Sequence, residues 1–93
     1  MKVAIYSRVM DENQRQDLQL FFDELKNQKV QPLIFHTYFE QIRNTVSLPP
    51  DVEVFHSSEH LTNEIQAIIS LGGDGTLLDT VTLIRGHNLP VMG

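Results

Sequence analysis

Ninety-three residues bound this chain to one small domain, and the 41% hydrophobic and 20% charged shares, with 4 Pro and 5 Gly, exclude disordered, collagen-like and coiled-coil classes. A formal charge of -5, with only 7 basic residues scattered along the sequence, excludes a non-specific nucleic-acid binder, because phosphate neutralisation needs clustered Lys and Arg. The lack of cysteine excludes disulfides and thiolate metal sites. With neither a signal-peptide pattern nor a bilayer-length apolar run, the expectation is a soluble cytoplasmic protein without a membrane partner.

In chain order, Lys2-Val3-Ala4-Ile5-Tyr6-Ser7 reads as a buried first strand. Residues 11–28 then change period: Leu18, Phe21, Phe22 and Leu25 recur at i, i+3, i+4 and i+7, the apolar stripe of an amphipathic helix, with Asp11 placed to pair with Arg15 and to cap or complement the helix start. Residues 30–36 predict a second strand, and Pro32, which cannot donate to a ladder, suggests that it lies at a sheet edge. Thr37-Tyr38-Phe39-Glu40 reads as a capping box opening a short helix whose face is Phe39, Ile42, Arg43 and Val46, broken by Pro49-Pro50. Val52-Glu53-Val54-Phe55 predicts a third strand. Ala67-Ile68-Ile69-Ser70-Leu71 predicts a central parallel strand, apolar throughout because both faces are covered.

Residues 72–75 are expected as a loop and residues 76–85 as a helix, with Leu77, Leu78, Val81 and Ile84 sharing a face that is core, Leu78 being a partial exception, and Gly86 terminating it. Pro90-Val91-Met92-Gly93 begins a further strand. Alternating strands and helices define an α/β fold class, a Rossmann-like three-layer domain with a mainly parallel sheet.

The chemistry concentrates in Gly72-Gly73-Asp74-Gly75-Thr76, between a buried strand and a helix, where open α/β sheets bind ligands. This pentapeptide is expected by chance roughly once in ten thousand chains of this length. Its glycines let backbone approach a ligand closely, and N–H groups at the helix start attract anions. It has neither the Gly-Lys-Ser/Thr ending of a Walker A loop nor the Gly-x-Gly-x-x-Gly spacing of a dinucleotide fingerprint. A carboxylate among phosphate-attracting donors would repel phosphate unless it serves a hydroxyl or a metal, so Asp74 suggests work on an alcohol: accepting its proton, holding a ribose, or both. The structural alternative is a tight turn in which Asp74 or Thr76 caps the helix, which accounts for one polar residue and not for the glycines around it.

At this loop, and in the Leu77-Leu78 and Leu89-Pro90-Val91-Met92-Gly93 that follow, the sequence resembles the NAD kinase family. The resemblance implies the N-terminal domain of a larger two-domain enzyme, with residues 1–93 stopping before a β-rich C-terminal domain and therefore inactive alone. It implies phosphoryl transfer from ATP or a similar donor to the 2′-hydroxyl of the adenosine ribose of NAD, giving NADP, with a divalent metal ion, Mg2+, accompanying ATP. Asp74 would be the catalytic proton acceptor, and Gly73, Asp74, Gly75, Thr76 and Leu78 would bind substrate, Leu78 against the adenosine. The partners are then NAD and ATP, in a homo-oligomer. Lipid kinases of the diacylglycerol and sphingosine kinase type carry a similar loop, but Tyr6-Ser7-Arg8 stands where they have an Asn-Pro-containing loop. Phosphofructokinases have a glycine-rich loop after the first strand, and here no glycine precedes Gly72. A non-catalytic nucleotide-binding module is the remaining alternative.

Weaker signals carry no site. His56 and His60, four apart, would share a helix face, but no third ligand at suitable spacing accompanies them. His36 and His87 read as loop residues. Asp11 and Glu12 sit after the first strand as acids do in phospho-acceptor receiver domains, but residues 52–55 offer no matching acceptor Asp.

Overall fold

The β-branched apolar runs of the sequence become the strands of a single sheet. In the computed structural model the described residues are 1–8, 12–72 and 74–92, with Glu12 and Asp74 described by backbone alone. The elements are β1 (Lys2–Tyr6), α1 (Arg15–Asn27), β2 (Gln31–Phe35), α2 (His36–Ile42), β3 (Glu53–Phe55), β4 (Ile65–Ser70), α3 (Asp74–Leu83) and β5 (Val91–Met92), with 3-10 turns at Glu12–Gln14 and Ser58–His60. The strand order is β3-β2-β1-β4-β5 and each described pairing is parallel. The expected α/β class is therefore the fold, with an entirely parallel five-stranded sheet. From β1 the chain winds outward through β2 to β3, then crosses back to place β4 on the other flank of β1. The winding reverses between β1 and β4, which makes that gap the topological switch point.

Strand alternation sorts the apolar side chains onto two faces. Ile5 and Ile34 join Phe22 of α1 and Tyr38 and Ile42 of α2 in one buried cluster, with Leu18, Phe21 and Leu25 packed against it. That is the stripe read from the sequence, with Phe22 1% exposed at its centre. Ala4, Leu33, Phe55, Ile65 and Ile68 form the opposite cluster with Leu61 and Ile84. Ile65 and Ile68 share this face although three residues apart. The register shift between Lys2 and Val3 against β4, where Ile65 and Ala67 are the successive partners, supplies the extra residue. Helices α1 and α2 cover one face and α3 the other, giving the three layers.

Burial also sets a pH response. The Tyr38 hydroxyl is pushed up from its ordinary 10.0 to about 12 by desolvation. A raised value means the fold favours the neutral phenol, so this contribution to stability is intact below the ordinary value and is lost as pH rises through the folded one. Urea unfolding followed across the window from 10.0 to about 12 should show falling stability, and Tyr38→Phe should flatten that fall. An unchanged slope in the variant would contradict it.

Four local expectations are corrected. Pro32 is not at an edge: β2 lies between β3 and β1, and Pro32 is fully buried. The Gln31 N–H donates to the Met1 carbonyl at 2.8 Å, toward β1, so the following position faces β3, where pairing begins only at Leu33 with Glu53. The missing donor thus falls where the ladder has not started. The capping box does not form: α2 starts at His36, one residue before Thr37, with Phe35 as an extended N-cap and no side-chain cap bond. Arg43 is exposed and paired with Glu40 at 3.3 Å, and Tyr38 takes the buried place on that helix. The expectation for Asp11 stands apart from these corrections, since Asp11 lies outside the described residues; Gln14, the residue before α1, makes no side-chain cap bond.

The fourth correction concerns α3, which runs two residues earlier than expected and opens at Asp74. Its core face is not Leu77, Leu78 and Val81, which are 40%, 69% and 52% exposed. Thr76 and Thr80 are buried instead, with Leu83 packed on the core and Ile84 buried just beyond the helix. The Thr80 hydroxyl donates to the Thr76 carbonyl at 2.8 Å, so both threonines turn inward without an orphaned donor. Thr76 is held against Gly72, and that contact fixes the rotation of the helix. Gly86, at φ 88°, occupies the left-handed position that ends the turn after α3, as expected.

Candidate functional site

Two chain segments meet at the switch point. β1 and β4 pair up to Tyr6 with Ser70, and the Leu71 N–H donates to the Tyr6 carbonyl at 3.0 Å, so both strands end level. Ser7-Arg8 leaves one strand and Leu71-Gly72 the other, side by side at the carboxyl edge of the sheet. Gly72 adopts φ 136°, and a Cβ there would stand 2.8 Å from the Thr76 Oγ1. Both facts forbid a side chain: the backbone conformation is one that L residues rarely take, and the space is filled. Gly72→Ala is expected to cost about 1–3 kcal/mol of stability, read as a lower urea midpoint. A midpoint equal to that of the unchanged protein would contradict this geometry.

Of the residues that the sequence singles out, Thr76 is buried beneath the loop, Gly75 occupies the second position of α3, and Leu78 projects from the outer side of the helix, 69% exposed. Asp74 is the first residue of α3 rather than a loop residue. The helix starts as soon as the chain has turned at Gly72, so the acid still stands at the carboxyl end of β4. Gly73 lies outside the described residues.

Three residues that the sequence reading did not connect complete the surroundings. Arg8 donates through Nε and Nη2 to the two carboxylate oxygens of Asp79 on α3, the Nη2 bond being 2.9 Å. The Tyr6 hydroxyl donates to the same carboxylate at 3.3 Å. The Arg8 carbonyl accepts from Gln41 Nε2 at 3.1 Å, which ties the segment after β1 to α2. The Arg8 guanidinium holds the Asp79 carboxyl below the ordinary carboxylate range, and Asp79 in turn raises Arg8. Burial, then the Asp79 charge, push the Tyr6 phenol up. The partners are 71 residues apart in sequence, so no spacing pattern could reveal them. The available signal was topological: both follow from β1 and β4 being neighbours.

Beside this pair a cleft of about 370 Å³ is lined by Tyr6, Phe35, Asp79, Thr82 and Leu83. The Tyr6 and Phe35 rings lie 5.1 Å apart on its floor. Farther along the same edge the histidines are arranged differently from the sequence expectation. His36 is the first residue of α2, not a loop residue, and stacks on His56 at 4.7 Å and 21°. His56 follows β3 and His60 ends a 3-10 turn, so they share no helix face; the His56 N–H donates to the His60 Nδ1 at 3.1 Å. Among the described residues no group of three or more His, Cys, Asp or Glu is placed to hold a metal ion. His87 lies in the connection after α3, as expected.

A parallel sheet with a glycine loop at its switch point defines the doubly wound α/β class, in which ligands lie across the carboxyl ends of the strands. Within that class, residues 4–93 match the family described as "ATP-NAD kinase N-terminal domain", and the chain belongs to this family. It is 27% identical to the NAD kinase of Christiangramia forsetii and 26% identical to those of Flavobacterium johnsoniae and Flavobacterium psychrophilum, in each case over its full 93 residues. The chain spans 32% of the length of each of these relatives. No solved structure matches it. No described helix is long and apolar enough to cross a membrane.

Proposed function

We propose that the full-length protein carrying this segment phosphorylates the 2′-hydroxyl of the adenosine ribose of NAD, with ATP or a similar donor, to give NADP. The observation that carries the reading is the position of Gly72 and of the Asp74-Gly75-Thr76 helix start at the switch point, in a chain of the ATP-NAD kinase family. In this reading the Asp74 carboxylate takes the proton from the 2′-hydroxyl while the ribose oxygen bonds to the terminal phosphorus and the donor diphosphate departs. Gly75 keeps the backbone bare for close approach of the nucleotide, Thr76 secures the loop from beneath, and exposed Leu78 offers an apolar surface to the adenosine. Gly73 is assigned to the substrate-binding loop with them.

Magnesium binds through one or two carboxylates together with substrate phosphates, so it needs no cage from this chain and is expected to arrive on the donor. It would supply charge neutralisation on the phosphates. The segment is one wall of a cleft, and the second wall, from a β-rich C-terminal domain, would orient the ribose and exclude water. From the family resemblance alone, we propose that the full-length protein is cytoplasmic and a homo-oligomer.

The test offers purified full-length protein NAD, diacylglycerol, sphingosine and fructose 6-phosphate in turn with Mg-ATP. Phosphorylation of NAD alone is the expected result. Preferential turnover of a lipid or sugar, or tight nucleotide binding with no transfer, would overturn the reading.

A further inference from the structure

We propose that Arg8 is a binding residue for the polyphosphate of the phosphoryl donor, held in reserve by Asp79 and released to the incoming phosphates. The ligand class rests on the phosphoryl-transfer reading above; the cation site itself rests on the geometry that follows.

The Arg8 guanidinium lies along the first turns of α3, between Gly75 and Asp79, which are four apart and share a helix face. A Cβ on Gly75 would stand 3.0 Å from the Arg8 Nη1. The glycine thus leaves room for a cation exactly where the motif loop runs into the helix. The position is electrostatically costly for the fold alone, because the start of a helix carries positive partial charge and favours anions. Asp79 compensates: it meets the guanidinium through two hydrogen bonds and also accepts from Tyr6.

The pair is built to exchange. The Arg8 side chain is 55% exposed and that of Asp79 31%, so neither is locked in the core. Arginine matches phosphate with the same planar fork that it offers a carboxylate, and phosphate brings more negative charge to that fork. The motif loop contains no lysine, so a cation from the neighbouring strand end answers how a segment of net charge -5 attracts a polyanion to this edge. Asp79, left behind, keeps the Tyr6 hydroxyl as a donor. The roles are separate: Arg8 reads phosphate, and Asp79 sets how much of its affinity is spent before the ligand arrives.

The test measures binding of tripolyphosphate and of Mg-ATP to the full-length protein by calorimetry, for the unchanged protein, Arg8→Gln, Arg8→Lys and Asp79→Asn, with urea unfolding of each. Arg8→Gln is expected to weaken both ligands tenfold or more, Arg8→Lys to recover part of the loss, and Asp79→Asn to tighten both severalfold by freeing the guanidinium. In turnover, Arg8→Gln should raise the KM for the donor and leave the KM for NAD near its starting value. Mg-ATP binding tighter than tripolyphosphate would identify a nucleoside triphosphate as the natural source of the phosphates, and equal binding an inorganic polyphosphate. Tripolyphosphate binding that fails to respond to Arg8, or that weakens in Asp79→Asn as it does in Arg8→Gln alongside matching losses of stability, would show a merely structural ion pair and overturn the proposal. Absence of NADP formation with Arg8-dependent tripolyphosphate binding intact would instead refute the reading of the substrate while leaving the phosphate site standing.

Discussion

Asp74→Asn in the full-length protein is expected to lower kcat by on the order of a hundredfold or more while changing the KM for NAD far less. Asparagine has the size of aspartate and can still hydrogen-bond a ribose hydroxyl, but it cannot accept the proton released as the 2′-oxygen bonds to phosphorus. Asp74→Ala is expected to damage both parameters, because it also removes the contact that orients the hydroxyl. Gly75→Val should fail differently, raising KM by crowding the approach of the nucleotide and by pushing against the Arg8 guanidinium. Steady-state kinetics on purified variants separates these outcomes. Near-normal kcat with a large loss of NAD affinity in Asp74→Asn would make Asp74 a ribose clamp and move the proton acceptor elsewhere in the protein.

Phe22→Ala should be the most damaging core substitution on the helix-packed face that α1 shares with α2. The ring is 1% exposed, packs with Ile5, Ile34, Tyr38 and Ile42, and has Phe21 against it at 5.2 Å. Removing a buried phenyl costs about 3–5 kcal/mol, the lost transfer energy plus an unfilled cavity. A domain holds only about 5–15 kcal/mol in all, so the variant should lose roughly a fifth or more of its stability. Leu20→Ala on the same helix, at a position 66% exposed, is expected to change stability by less than about 0.5 kcal/mol. Urea midpoints with an unchanged m value would check both, and equal midpoints for the two variants would contradict the packing described.

The contrast between α1 and α3 shows what the sequence could reveal. In α1 a single apolar stripe exists, so the period of Leu18, Phe21, Phe22 and Leu25 names the core face without ambiguity. In α3 two faces compete: Leu77, Leu78 and Val81 are more apolar, but Thr76 and Thr80 win, because the Gly72 contact sets the rotation and an internal hydrogen bond satisfies the buried hydroxyl. Periodicity weighs hydrophobicity and is blind to such steric and hydrogen-bond terms. Pro32 misled for a related reason: its missing donor matters only where a neighbouring strand has begun to pair, and strand order is not written in local sequence. The α/β class followed from alternation alone.

The candidate motif was legible as a strand-to-helix junction because it is contiguous in sequence, with Asp74, Gly75 and Thr76 forming the first turn of α3. Arg8, Tyr6 and Asp79 were not, since their meeting depends on β1 and β4 becoming neighbours after a crossover. The part of a site that fold topology assembles from distant segments leaves no spacing signature, whereas the part built on one loop does.

The central claim is that Gly72 to Thr76 sits in the site where the 2′-hydroxyl of NAD receives a phosphoryl group. Its most direct measurement incubates the full-length protein with NAD and γ-labelled ATP and locates the label in the product by phosphorus NMR and mass spectrometry, alongside the Asp74→Asn protein. The account predicts label at the 2′-position of the adenosine ribose, formed on the order of a hundredfold more slowly by the variant. Label at any other hydroxyl, or equal rates for the two proteins, would contradict it.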